Sequence, residues 1–368
     1  MKIGIDADMF INPNGTGIPN SVFKVLDYWK NNHPEHEYYL FAYKKITLFD
    51  EYPSNWHVVD KWPIKIGRFW RMFGESFAIR KYGVDVFWGT NYFLPNRVKS
   101  VRYVLTIYDM ALYLIEGIGE KKNLNRMKRN LPRSVNNSDK IIAISQSTKD
   151  DIKKIFNVDD KKVIVSYCGI DNEGNCSIDF NNVRSELKFE APFFLFVSTI
   201  EPRKNIITII RAFEEYLNKY DGDELLVLAG QKGWNCDNIY SAIDNSKYKD
   251  RIILPGYISS DEKKYLLTNA KAFLYPSLYE GFGLPVLEAF KYNLPVITSN
   301  VSSLPEVAGD AAFYIEKTTD YHSLCMKMRE VMELTENEKA DLANRMTKQR
   351  NKFSWDKNAE EIMEVLSI

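Results

Sequence analysis

Several protein classes are excluded by what this chain lacks. Its four cysteines, at 168, 176, 236 and 325, form no CxxC pair and no zinc spacing, so a disulfide framework is not expected and reduced thiols are. Histidine is equally sparse, and the pair in His33-Pro-Glu-His36 is accounted for by a short turn ahead of the YYLFAY strand, so no metal is expected. No run approaches the roughly 18 apolar residues that a membrane-crossing helix requires. An excess of either charge is missing too. Lysine plus arginine and aspartate plus glutamate stand at 49 each, leaving no global field for nucleic acid or acidic membrane, so any anion site must be local. The opening MKIGIDADMF has no basic region, apolar core and cleavage site, which makes the cytoplasm the expected compartment.

What is present is alternation. With 368 residues there is room for two domains, each with its own core. Strand-like runs at 2–6, 38–43, 85–89, 101–107, 141–145 and 163–167 alternate with helical or polar segments. After a polar stretch, Asn172 to Glu190, a second set follows at 193–199, 224–230, 251–256, 272–277, 295–299 and 311–315. This pattern predicts two parallel sheets wrapped by helices, an α/β architecture. In the helix predicted from Ser21 to Lys30, Val22, Leu26 and Trp29 share one face. The expected domains are 1–175 and 176–352, with a terminal helix in 353–368 carrying Trp355, Ala359, Ile362, Met363 and Leu366 at helical spacing.

Chemistry concentrates in AFLYPSLYEGFGLPVLEAFKYNLPVITSNVSSLPEVAGD, from Ala272 to Asp310. A strand runs into Glu280-Gly-Phe-Gly283, and a helix begins at Leu284. Free amides and the dipole at a helix start suit a phosphate-sized anion, and Glu280 and Glu288 suit hydroxyls of one elongated ligand. A second anion locus is STIEPRKN, where Arg203 can clamp two oxygens and Lys204 adds a compact charge. Cations at a helix start oppose the dipole unless an anion is present, which argues for a bound diphosphate. Gly15-Thr-Gly17 forms a loop that matches a dinucleotide fingerprint only in part, because Asn20 stands where a third glycine is expected.

The segment Glu280-GFGLPVL-Glu288 resembles the E-x7-E motif of family-four retaining glycosyltransferases of the GT-B class. That resemblance implies two Rossmann-like doubly wound domains facing a central cleft, with the C-terminal helix crossing back to the first. It implies that Glu288 binds ribose, that Glu280 binds the transferred sugar, and that Gly281, Phe282, Gly283 and Leu284 line sugar and diphosphate. Arg203 and Lys204 then stabilise the leaving nucleoside diphosphate, Tyr257 and Ile258 hold the base through backbone groups, and Gly15, Thr16 and Gly17 approach the donor. Relatives often carry His-Asp after the strand that here ends in Tyr108-Asp109. Tyrosine is a poor general base at neutral pH, so a histidine-assisted step is not expected, while Asp109 either orients the acceptor or caps the following turn.

Residues 61–73, KWPIKIGRFWRMF, combine cations with aromatics. They suit a membrane headgroup layer, or else Trp62, Phe69, Trp70 and Phe73 are core residues beneath solvated cations. The first option leaves open a peripheral place at the inner membrane face. Lys121 to Arg129 reads as a solvated charge run. The expected function is retaining, metal-independent transfer of a sugar, with GDP-mannose the favoured donor, to a glycan or lipid-linked acceptor in polysaccharide or O-antigen synthesis. No cofactor is expected, because the nucleotide sugar is a substrate. The alternatives are a catalytically impaired sugar-nucleotide binder and a GT-B-type sugar-nucleotide epimerase.

Overall fold

The computed structural model describes residues 1–12, 17–63, 66–119, 121–171 and 191–368. The expected linker and the boundary at 175/176 lie outside these residues. The chain divides into two compact units, one of residues 1–114, 121–169 and 353–368 and the other of residues 115–120 and 170–352.

In the first unit a seven-stranded sheet has the order β3-β2-β1-β4-β5-β6-β7. These strands are β1 (Lys2–Asp6), β2 (Glu37–Phe41), β3 (Trp56–Val59), β4 (Val86–Gly89), β5 (Arg102–Ile107), β6 (Lys140–Ala143) and β7 (Val163–Val165). Every pairing is parallel. Parallel strands covered on both faces must be apolar nearly throughout, which is why β4 reads VFWG and is buried along its length. The Ile18–Asn32 helix buries Val22, Val25, Leu26 and Trp29 against this sheet.

The terminal Trp355–Ser367 helix returns to this unit and adds Ala359, Ile362, Met363, Val365 and Leu366 to the same core. Two bonds fix its register: the Trp29 indole N–H donates to the Ala359 carbonyl at 2.9 Å, and the Tyr28 hydroxyl donates to Glu360 at 2.7 Å. The fold thus stores the end of the chain against its first helix.

The second unit holds six parallel strands in the order β10-β9-β8-β11-β12-β13. They are β8 (Phe193–Val197), β9 (Leu225–Ala229), β10 (Ile252–Gly256), β11 (Ala272–Tyr275), β12 (Val296–Ser299) and β13 (Phe313–Ile315). Gly230, just past β9, has φ +148°, and a Cβ there would lie 1.8 Å from the Ser198 carbonyl oxygen. Only glycine lets the ends of β8 and β9 approach so closely. The strand order reverses between β1 and β4 in one unit and between β8 and β11 in the other. In sheets of this kind a crevice opens at the carboxyl ends of the strands flanking the reversal.

Candidate active site

At the β8/β11 reversal the chain leaves β8 and makes a single 3-10 turn, Pro202–Lys204, before Asn205 adopts φ 59° and the Ile206–Tyr220 helix begins. Arg203 and Lys204 therefore sit at the end of a separate short turn, ahead of the long helix. The dipole conflict expected from the sequence is relieved by anions of the protein itself. Arg203 donates from Nη1 to Glu280 Oε2 and from Nε to Glu201 Oε1, both at 3.0 Å. Lys204 Nζ donates at 2.7 Å to Glu280 Oε1 and to the Tyr275 hydroxyl. The cationic wall anticipated from STIEPRKN is thus already compensated.

Burial acting alone would raise the Glu280 carboxyl, but Lys204 and Arg203 overcome it and hold the group at about 2. Lys204 is 5% exposed and Arg203 has a side chain 18% exposed, so the guanidinium is the cation within reach of a ligand. Glu201 is pushed upward by burial against the pull of Arg203.

The glycine loop is held from the following segment. The Glu280 peptide N–H donates to Ser302 Oγ at 2.9 Å, and the Ser303 hydroxyl donates to the carbonyls of Glu280 at 2.9 Å and Phe282 at 2.7 Å. Gly283, with φ 110°, then starts the Leu284–Lys291 helix, with Pro285 in its first turn, where no N–H is needed. Glu288 lies on that helix with its Oε1 2.6 Å from Lys263 Nζ. Lys263 belongs to the Ser260–Asn269 helix, which Ser259 caps in a capping box with Glu262, as the sequence suggests. Ahead of it, the Tyr257 side chain is 68% exposed while Ile258 is buried. Sequence reasoning missed Lys263, Ser302 and Ser303; the serines of SSLPEVAGD, following the glycine loop in the chain, were the available signal.

The β1/β4 reversal gathers a different set. Asp6 ends β1, and Asp8 opens a 3-10 turn, Asp8–Ile11. The Asp8 N–H donates to Asp6 Oδ1 at 3.1 Å, and the Thr90 hydroxyl, just after β4, donates to the Asp6 carbonyl at 2.8 Å. Arg71 stands 3.5 Å from Asp8. Beneath them Glu75 is 2% exposed, and its Oε1 has no hydrogen-bond partner among the described residues. Burial, reinforced by Asp6 and opposed by Arg71, raises Asp8 to about 7. Burial together with Asp6 and Asp8 pushes the Glu75 carboxyl well up against the pull of Arg71.

Of the residues expected near the donor in this unit, Gly15 and Thr16 lie outside the described residues. Gly17, with φ 71°, precedes the Ile18–Asn32 helix and accepts the Ser21 N–H at 3.0 Å. His33, Glu35 and His36 bring ligand atoms within 4.8 Å of one another, with His33 Nε2 3.2 Å from Glu360 of the terminal helix.

Two family descriptions match successive parts of the chain: Glycosyltransferase Family 4 over residues 17–173 and Glycosyl transferases group 1 over residues 178–353. The chain belongs to glycosyltransferase family 4. Among curated relatives it is 30% identical over 241 residues to O-antigen chain mannosyltransferase B of Escherichia coli, covering 64% of this chain and 62% of that protein. It is also 30% identical over 185 residues to the O-antigen chain mannosyltransferase RfbU of Salmonella typhimurium, covering 50% and 49%. The match thus spans about half to three fifths of these relatives. Anabaena Alr3699/HepE, solved in complex with UDP and glucose, superposes with a TM-score of 0.73 at 16% identity over 100% of this chain and 99% of that one. The fold is GT-B.

Within this family-four chain, Tyr108 is turned inward. It is 8% exposed, lines a small cavity with Thr106, Cys168 and Asn358, and has its hydroxyl pushed far up by burial. A side chain so placed neither donates nor accepts a proton at neutral pH. Asp109 Oδ1 accepts the Ala111 N–H at 3.0 Å, so the carboxylate caps the turn into the next helix.

Proposed function

We propose that the chain transfers a sugar, with retention and without a metal, from a nucleotide-diphosphate sugar to a hydroxyl of a glycan or lipid-linked acceptor. The observation that carries this reading is the convergence of Arg203, Lys204 and Glu280 at the β8/β11 reversal, beside the amides that open the Leu284–Lys291 helix. In this reading Lys204 fixes the Glu280 carboxylate, which accepts from a hydroxyl of the transferred sugar. Arg203 and the amides of Phe282, Gly283 and Leu284 meet the charge that grows on the departing diphosphate. Glu288 binds the ribose, exchanging part of its contact with Lys263 for the two hydroxyls, and Tyr257 and Ile258 flank the base. Gly15 to Gly17 and Asp109 belong to the acceptor-side unit, residues 1–175 with the terminal helix; residues 176–352 take the donor.

GDP-mannose is the donor to try first, because the curated relatives that match include several named mannosyltransferases. No helix among the described residues is long and apolar enough to cross a membrane. Contact with a membrane surface is supported by Ile66, Phe69, Met72, Phe73 and Phe77, all more than 40% exposed along one segment. Of the four aromatics at 62–73, Trp70 is buried against Trp62, and Gly74 leaves the room their rings need, whereas Phe69 and Phe73 face solvent rather than the core.

The reading is tested by sugar transfer in Arg203→Ala. Loss of turnover on the order of a hundredfold, in a protein that still unfolds cooperatively, is the expected outcome. Near-normal turnover would remove Arg203 from the diphosphate site.

A further inference from the structure

The first unit contains a cavity of about 730 Å³ ringed by Arg68, Arg71, Lys122, Arg126, Arg129 and Arg133. Four of these cations stand at 122, 126, 129 and 133 on the Lys121–Asn137 helix, the spacing of a single helical face. Like charges at such spacing repel, so an isolated helix would disfavour the arrangement. Among the described residues only Arg71 of the six has an ion pair, with Asp8 at 3.5 Å. Arg133 donates to the Asn96 side chain. Arg126 lies over the Phe93 ring at 4.8 Å and Arg71 over the same ring at 6.0 Å. Burial, and next the charge of Arg71, depress Arg126.

Because the whole chain is electrically balanced, this concentration is not a by-product of general basicity. A smaller cavity of about 180 Å³ adjoins it and holds Asp6, Asp8 and Asn91; Arg71, Phe93 and Arg126 line both. A basic chamber therefore opens beside an acidic one at the β1/β4 reversal. Two phosphoryl groups with attached sugar fit the larger volume, and hydroxyls suit the carboxylates of the smaller.

We propose that the larger cavity binds a phosphate or diphosphate esterified to the saccharide acceptor, with the acceptor's sugar hydroxyls directed to Asp6, Asp8 and Asn91. This deepens the transfer reading and rests on it for the word acceptor. The anion site itself does not depend on that reading. Guanidinium forks hold phosphoryl oxygens bidentately, and the Phe93 ring keeps two of them in place. The neighbouring carboxylates discriminate against a second anion and favour neutral hydroxyls, which gives the acceptor one orientation. The phosphoryl group comes either from a soluble sugar phosphate or from a lipid-linked saccharide.

The test is calorimetric binding of inorganic pyrophosphate to the full chain, the Arg126→Ala/Arg129→Ala double variant and Arg203→Ala. The double variant weakens pyrophosphate binding by about tenfold or more, the scale of one charged hydrogen bond, whereas Arg203→Ala retains this site. Arg126→Lys/Arg129→Lys keeps part of the affinity, which separates loss of charge from loss of fold. Absence of pyrophosphate binding in the parent chain, or equal binding by parent and double variant, overturns the proposal.

A kinetic arm compares one saccharide acceptor free, as its phosphate ester and as its lipid diphosphate. The phosphorylated forms have a KM about tenfold lower, and the double variant erases that advantage while leaving the donor KM unchanged. An advantage already complete in the soluble ester assigns the soluble source; one that needs the chain assigns the lipid. If the double variant loses only its binding to phosphatidylglycerol vesicles, the face is a membrane contact and the pocket proposal fails. Loss of donor binding in every form would instead defeat the transfer reading and leave the pyrophosphate result standing.

Discussion

The two strand-order reversals have the same topology and opposite electrostatics. At β8/β11 one carboxylate, Glu280, is gripped by two cations and held at about 2. At β1/β4 three carboxylates crowd together, and Asp8 is raised to about 7 despite Arg71. The first is a closed ion network that is complete without ligand. The second sets protonatable acids beside a group of cations of which, among the described residues, only Arg71 has an ion pair. A parallel sheet supplies the crevice in both cases, and the side chains at the strand ends decide whether it arrives satisfied or waiting.

Removing one partner separates the two most strongly. Glu280→Ala leaves Lys204 buried without its anion and should cost about 3–5 kcal/mol in urea unfolding, whereas Asp8→Asn removes repulsion and should cost less than about 1 kcal/mol. Equal losses would erase the contrast. A smaller effect is expected in Ser303→Ala, which strips a buried donor from the carbonyls of Glu280 and Phe282 and should cost about 1–3 kcal/mol, together with weaker donor binding.

The pH dependence of stability should differ in sign. Glu280 lies below its ordinary 4.5, so its contribution is complete above pH 4.5 and is lost as pH falls toward 2. Asp8 lies above its ordinary 3.8, so the fold favours the protonated acid, and stability is lost as pH rises from 3.8 toward 7. Urea titrations of Glu280→Gln and Asp8→Asn against pH should each flatten one of these limbs, and an unaltered profile would refute the corresponding assignment. The least effect is expected for Tyr108→Phe: stability within about 1 kcal/mol and turnover within about twofold, because the side chain is buried in a small cavity.

The sheets were legible in the sequence because buried parallel strands are apolar almost throughout, and every strand expected from those runs is present. β3 was missed. Its four residues, WHVV, include a half-exposed histidine, lie at the sheet edge and are buried fully only at Trp56. The grouping of candidate residues in the second unit was legible because they fall in two compact motifs, although the way Glu280 neutralises Arg203 and Lys204 is a property of three dimensions. The acidic and basic chambers of the first unit were not legible. Asp6, Arg71, Asn91 and Arg126 come from four distant segments, and a cationic helix face at 122, 126, 129 and 133 has the composition of a solvated charge run until the cavity beside it is known.

The claim that the β8/β11 network is the donor site is tested most directly by thermal unfolding of the full chain and Arg203→Ala against a panel of nucleotide sugars. A ligand that binds only the folded state raises stability by mass action, by about 2.7 kcal/mol at a hundred times its Kd. The account predicts that one donor raises the Tm of the parent chain and leaves Arg203→Ala nearly unmoved. An equal rise in both proteins would contradict it.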